Sequence, residues 1–169
     1  VTAQELKNCM RDQYEGTPLD ITQGPDAGPW NSKLRYGSLG FQYDSVQYWF
    51  ERPIATQQTA WSFVAQMRGY ESAKAGGILW FGVDDAASTV YVPMYCSITQ
   101  VPNCFAESNG DMYTYSPTSA WWTYNIVANW AYTKYSAMMP DIQKVQAAWE
   151  DKFNSQVAAV DAQVAELDG

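Results

Sequence analysis

Histidine is absent from this 169-residue chain. Its absence removes Ser-His-Asp and Cys-His nucleophile pairs, HExxH zinc sites and most other metal sites built on imidazole. Any chemistry must therefore use carboxylates, amines, tyrosine or a thiol. Cysteine is scarce as well: Cys9, Cys96 and Cys104 form an odd set with no CxxC pair, which excludes a thioredoxin-like motif and a cysteine-built metal site. No metal or other cofactor is expected. Cys96 and Cys104 either close a small disulfide loop in an oxidising compartment or remain two buried thiols, and the sequence leaves both open. Ten basic residues stand against eighteen acidic ones, a net charge of −8. Without a basic stripe, nucleic acid is not an expected partner. No apolar run reaches the eighteen or so residues that span a bilayer, and no basic-then-apolar leader opens the chain. A soluble chain with no membrane partner is expected. Because the text begins at Val1, a segment upstream is expected too.

Aromatic residues are abundant, with eight tryptophans and twelve tyrosines, a composition suited to packed layers, interfaces or clefts that grip flat groups. Residues 2–14 have helical spacing in Leu6, Cys9, Met10 and Gln13, with Thr2 and Glu5 in capping-box register and Gly16 and Pro18 as stops. Residues 16–40 read as successive turns, a long loop of the kind that often carries function or wraps another part of a protein. Strands are expected over 45–50 and 56–67, the second placing Trp61, Phe63, Ala65 and Met67 on one face. GILWFGV, residues 77–83, reads as a strand buried on both faces. Asp84-Asp85 then turns the chain into a returning strand over 89–95, where Pro93 demands an edge or a bulge. After an irregular stretch at 101–117, Thr118 or Ser119 caps a helix reaching Met138, and Pro140 opens a second one striped by Ile142, Val145, Trp149, Phe153, Val157, Val160 and Val164. The expected class is α+β, an antiparallel sheet with flanking helices in one domain over residues 1–169. A long apolar strand wants cover on both sides, so a partner layer is expected beyond this chain.

Each candidate site residue has a plainer reading beside it. Asp84 and Asp85 at a strand end can hold an amine or act as acid and base, or simply bond the backbone of a turn. Arg11, Arg35, Arg52 and Arg68 are the only arginines, any of which can clamp a carboxylate or make a structural pair. Cys9 lies on a helical apolar face with no histidine or helix N-terminus beside it, which favours a buried structural thiol. Trp121-Trp122 is either a sugar-stacking platform or core. On residues alone no reaction follows.

The blocks MRDQYEGTPLDIT with GPW after it, ERPIATQQTAWSFVAQMR, GGILWFGVDDAASTVYVPMY with VPNCF after it, and SAWWTYNIVANWAY, in that order, resemble the C-terminal part of the dipeptidase D family. These are cysteine peptidases of the N-terminal nucleophile hydrolase superfamily. The resemblance runs from about Thr2 to Phe153. It implies an αββα sandwich, two antiparallel sheets covered by helices, of which this chain supplies part. It also implies a nucleophilic cysteine at the mature N-terminus, whose own α-amino group accepts the proton, so that histidine is not needed. Cys9, Cys96 and Cys104 are internal and lack that amine; no catalytic residue is therefore expected in this chain. The isolated chain is expected to be inactive, a C-terminal fragment of a larger catalytic domain. Arg52, Ser62, Asp84 and Asp85 are the residues expected to contact substrate, with Arg11 and Glu15 organising the loop. Expected partners are a dipeptide, the N-terminal portion of the same enzyme, and a second copy that covers exposed apolar surface. The setting expected is bacterial, secreted or periplasmic. A binding module using its aromatic surface for glycans or a protein is the reading of a different class.

Overall fold

The computed structural model describes residues 1–24, 27–33, 40–49 and 52–168. Helix α1 spans Ala3–Met10 and begins on the expected capping box: the Thr2 side chain accepts from the Glu5 N–H, and the Glu5 side chain accepts from Thr2 N–H. Its buried position is Lys7, whereas Leu6 and Cys9 are exposed. The helical stripe expected from Leu6, Cys9 and Met10 is thus rotated. An ammonium at the centre of the packed face is tolerated because it lies 3.9 Å above the Trp80 ring and 3.9 Å from the Glu150 carboxylate.

A hairpin follows, with β1 (Gly40–Tyr43) antiparallel to β2 (Val46–Trp49). Its two-residue turn, Asp44-Ser45, has positive φ at both positions, the turn twist that matches paired strands. Residues 34–39, 50 and 51, which include Arg35 and parts of the expected long loop and first strand, lie outside the described residues.

The main sheet has the order β3-β4-β5, with β3 (Trp61–Met67), β4 (Gly77–Val83) and β5 (Val92–Tyr95) all antiparallel. Pro93 sits on the edge strand opposite Trp80, where a missing ladder donor costs little. The returning strand begins at Val92, three residues later than expected, because residues 84–91 form a broad connection after Asp84 takes a positive φ.

One face of this sheet is packed. Val64, Ile78 and Trp80, joined by Tyr91, meet Ala3, Met10, Phe153 and Val157. The other face is not buried as expected for β4: Leu79 and Phe81 are only half covered. Trp61, Phe63 and Met67 share one strand face as their spacing indicates, and it is this open one. There the Trp61 ring lies 5.7 Å from Phe63 and 6.2 Å from Phe81, and Phe105 meets Phe81 edge-on.

Helix α2 spans Ala120–Thr133 and α3 Tyr135–Asp168. Residues 123–127 of α2 lie across a groove from residues 142–149 of α3, so the helices run side by side. Two details differ. Ser119 occupies the cap position of α2 without a side-chain capping bond, and the helices divide at Lys134, not at Pro140, which lies inside α3. The break forms where Ser136 N–H donates to the Trp30 carbonyl at 3.0 Å, a tertiary contact that caps α3. Pro140 forfeits only the backbone bond to exposed Ser136. Among the described residues no helix is long and apolar enough to cross a membrane.

Candidate functional site

Two neighbouring polar regions lie where α1 runs into its loop and where β4 ends. The first is a cavity of about 500 Å³ walled by Arg11, Asp12, Gln13 and Glu15, by Ala87, and by Tyr135 and Gln146 of α3. The segment enters it by a bend: Tyr14 and Gly16 both have positive φ, and the Asp12 carboxylate accepts from Tyr14 N–H at 2.7 Å. Cys9 lines the same cavity as an exposed free thiol, which corrects its expected burial. Cys96 and Cys104 are free as well.

Arg11 does not float at this wall. Its guanidinium donates to both oxygens of Glu150, from Nη1 to Oε2 at 3.2 Å and from Nη2 to Oε1, and Nη2 also donates to the Thr89 carbonyl at 3.0 Å. It lies 4.8 Å from the Tyr91 ring centre. Glu150 further accepts from Tyr91 N–H at 3.0 Å and from the Gln4 amide at 3.4 Å. Burial raises the Glu150 carboxyl, but the Arg11 bonds and charge, the Tyr91 N–H and the Lys7 charge together outweigh it and hold the group below the usual glutamate range. Lys7 is shifted down by burial, only partly offset by the Glu150 charge. Glu15 is likewise raised by burial and lowered more strongly by its ion pair with Lys33 and a 3.0 Å bond from Gln13 N–H. Gln13 then continues the chain of contacts by accepting from the Tyr135 hydroxyl at 3.0 Å.

The second region is the Asp84-Asp85 connection. Asp84, pushed up by burial, accepts from the Asn125 amide at 3.0 Å, and its own N–H donates to the Ala60 carbonyl at 2.8 Å. Asp85 is 1% exposed. Burial, with some help from the Asp84 charge, pushes it up to about 6 against weak bonds from Ser88 and Ala87. Among the described residues its Oδ2 and the buried Tyr132 hydroxyl make no hydrogen bond of normal geometry, although the hydroxyl is near enough to Asp85 to counter its upward shift slightly. The plain turn reading holds for the backbone, since Ser88 and Thr89 N–H both donate to the Asp85 carbonyl, but the carboxyl itself is a buried group with spare acceptor capacity. The hydroxyls of Tyr132 and Tyr135 are pushed up chiefly by their own burial and further by the charge of Asp85.

Ser62 lies on the packed side of β3, hydrogen-bonded to the Tyr91 hydroxyl at 2.8 Å. Opposite it, Gly82 leaves the room: a Cβ there would stand 2.7 Å from the Thr89 methyl and 3.2 Å from the Tyr91 ring. Ser62 is 4% exposed, so it supports Tyr91 from within the core. Arg52 is exposed, and its carbonyl accepts from the Tyr14 hydroxyl at 3.2 Å. Arg11 and Glu15 therefore line one cavity, Asp84 and Asp85 lie on the connection that sends Ala87 to its wall without lining it themselves, and Ser62 and Arg52 are joined to the region only through Tyr91 and Tyr14. The residues that sequence reasoning missed are Lys7 and Glu150. Each looks like an ordinary helix-surface charge in sequence, and only the 139-residue separation closed by the fold pairs Glu150 with Arg11.

The Trp121-Trp122 pair is half-buried: the rings meet edge-on at 4.9 Å, and Trp122 Nε1 donates to the carbonyls of Asp111 and Thr114.

The comparison with known families is decisive for this chain. The model described as Peptidase family C69 matches residues 1–148. The chain belongs to this family of cysteine peptidases, which the dipeptidase resemblance anticipated. It follows that the protein is a peptidase-family member in which Arg11, Glu15, Ser62, Asp84 and Asp85 all fall inside the matched segment. Glu150 falls just outside it. No curated protein and no solved structure matches the chain.

Proposed function

We propose that this chain is the C-terminal part of a cysteine dipeptidase, one folded domain that completes an αββα sandwich with a portion of the same enzyme carried elsewhere. That enzyme hydrolyses dipeptides through an acyl-enzyme. Its nucleophile is an N-terminal cysteine outside this chain, with the free α-amino group as proton acceptor. The nitrogens of Cys9, Cys96 and Cys104 are all in peptide bonds, so none of the three has such an amine. The peptidase reading rests on membership of family C69.

The single structural observation that supports a divided domain is the open face of the main sheet. Trp61, Phe63 and Met67 stand 57%, 44% and 82% exposed on one apolar strand face, with the Trp61 and Phe63 rings stacked. A second sheet packed at the usual spacing would bury that face and contribute to stability in proportion to its apolar area. This accounts for the aromatic surface more economically than a glycan-binding module does. The polar cavity beside Arg11 and Glu15 is then the substrate-side wall, which these residues shape without performing the covalent step.

The test is dipeptide hydrolysis by the full-length natural protein, compared with its N-terminal Cys→Ala variant and with the isolated chain. Activity that disappears in the variant and is absent from the isolated chain is the expected result. Full activity in the Cys→Ala protein, or in the isolated chain, would overturn the proposal.

A further inference from the structure

We propose that Glu150 is a positioning residue for substrate binding: by gripping Arg11 it fixes the guanidinium at the wall of the polar cavity. The inference rests on the reading of that cavity as the substrate side of a dipeptidase. Its residue lies on the part of α3 beyond the matched family segment, and nothing in the family match assigns it a role.

Helix α1 ends at Met10 and Arg11 is its C-terminal cap residue, so the helix does not itself aim the Arg11 side chain. The aim comes from across the fold. Glu150 is 3% exposed and binds both terminal nitrogens of the guanidinium in the planar, two-pronged manner that fixes an arginine's plane as well as its place. The carboxylate is itself located by Tyr91 N–H and the Gln4 amide, with Lys7 at 3.9 Å as a second cation. The Thr89 carbonyl and the Tyr91 ring complete the seat of Arg11. Arg11 thus meets the cavity as a neutralised group of defined direction. Loss of the Glu150 charge frees a guanidinium to swing and adds a net positive charge beside the cavity, which also repels the ammonium of a dipeptide.

A second clasp on the same helix provides the control. Asp161 of α3 binds Arg68 and accepts from the Tyr95 hydroxyl at 2.8 Å, and it contacts neither Arg11 nor the cavity lining. Asp161→Asn loosens α3 on the sheet without touching the seat of Arg11.

The experiment uses steady-state hydrolysis of a dipeptide by the full-length enzyme and its Glu150→Gln, Asp161→Asn, Arg11→Met and Arg11→Met/Glu150→Met variants, with melting temperatures alongside. Glu150→Gln is expected to raise KM about tenfold, the scale of one charge-assisted bond, with kcat changed less than about twofold. Asp161→Asn is expected to lower the melting temperature and leave KM alone. The double variant removes both members of the pair, so that only Lys7, over the Trp80 ring, loses its carboxylate, a smaller disturbance than the two cations that Glu150→Gln strands; its KM is expected to equal that of Arg11→Met, because the two residues act as one unit. An unmoved KM in Glu150→Gln, an equal rise in Asp161→Asn, or a double variant worse than Arg11→Met by the full single effect would overturn the proposal. An active parent enzyme with any of these results refutes the positioning role alone. A parent enzyme that cleaves no dipeptide refutes the dipeptidase reading, and the inference falls with it.

Discussion

Asp85 and Glu150 are two carboxylic acids buried to nearly the same degree, at 1% and 3% exposure, and they titrate in opposite directions. Burial disfavours the charged form of both. At Glu150 two cations, a backbone N–H and an amide surround the carboxylate, and the charged form prevails. At Asp85 the donors are weak, Asp84 adds a like charge, and one oxygen has no hydrogen-bond partner among the described residues. Depth alone therefore says little about a buried acid; its donors decide whether it is a brace or a reservoir for a proton.

The largest break in this comparison is Glu150→Ala. It leaves Arg11 and Lys7 inside the protein without a counter-charge, and removal of one partner from a buried ion pair costs about 3–5 kcal/mol. Chemical denaturation of the chain should show a loss of that size at neutral pH. A loss under about 1 kcal/mol would mean that the pair behaves as a surface salt bridge.

Asp85→Asn should act in the other direction. The folded-state pKa of Asp85, about 6, exceeds its ordinary value of 3.8, so folding favours the protonated acid. Its contribution is fully present below about pH 4 and is lost as pH rises through 6. At pH 8 the amide removes an ionisation penalty of about 2–3 kcal/mol, while at pH 4 it matches the neutral acid. Denaturant melts of both proteins at the two pH values should therefore converge in acid and separate in base, with the variant the more stable. Glu150 has the opposite sign: its folded-state pKa lies below the unfolded one, so its contribution is present above the ordinary glutamate range and is lost as pH falls through the folded value. A variant difference at Asp85 that is constant with pH would remove the contrast.

What was legible in the sequence follows the same division between local and distant causes. The capping box at Thr2 and Glu5, the turn at Asp84-Asp85, the edge position of Pro93 and the α+β order arise from neighbours in the chain, and spacing revealed them. The rotation of α1 was hidden because a lysine reads as surface until Trp80 and Glu150 are brought to it. The strongest local signal, Pro140, points to a helix break there, whereas the Trp30 carbonyl sets it at Lys134. The site divided likewise: Arg11, Glu15, Asp84 and Asp85 stand out as charges at turns, but the partner that gives Arg11 its direction lies 139 positions away.

A neutral buried pair sharpens the comparison from its weak end. Ser62 and the Tyr91 hydroxyl share one hydrogen bond of 2.8 Å beneath the Arg11 seat, and neither oxygen has to carry charge near neutrality, since burial pushes the Tyr91 hydroxyl up. Ser62→Ala deletes one partner of that bond at little cost in packing volume, for which about 1 kcal/mol is the ordinary scale. Because no proton is gained or lost, the same loss should appear at pH 5 and pH 8, unlike the effect of Asp85→Asn. Tyr91 nevertheless feels the charges of Arg11, Glu150 and Asp85. If Ser62→Ala costs markedly more at one of the two pH values, the hydroxyl pair belongs to the same electrostatic unit as the two acids, and the brace and the reservoir are coupled through the Tyr91 ring.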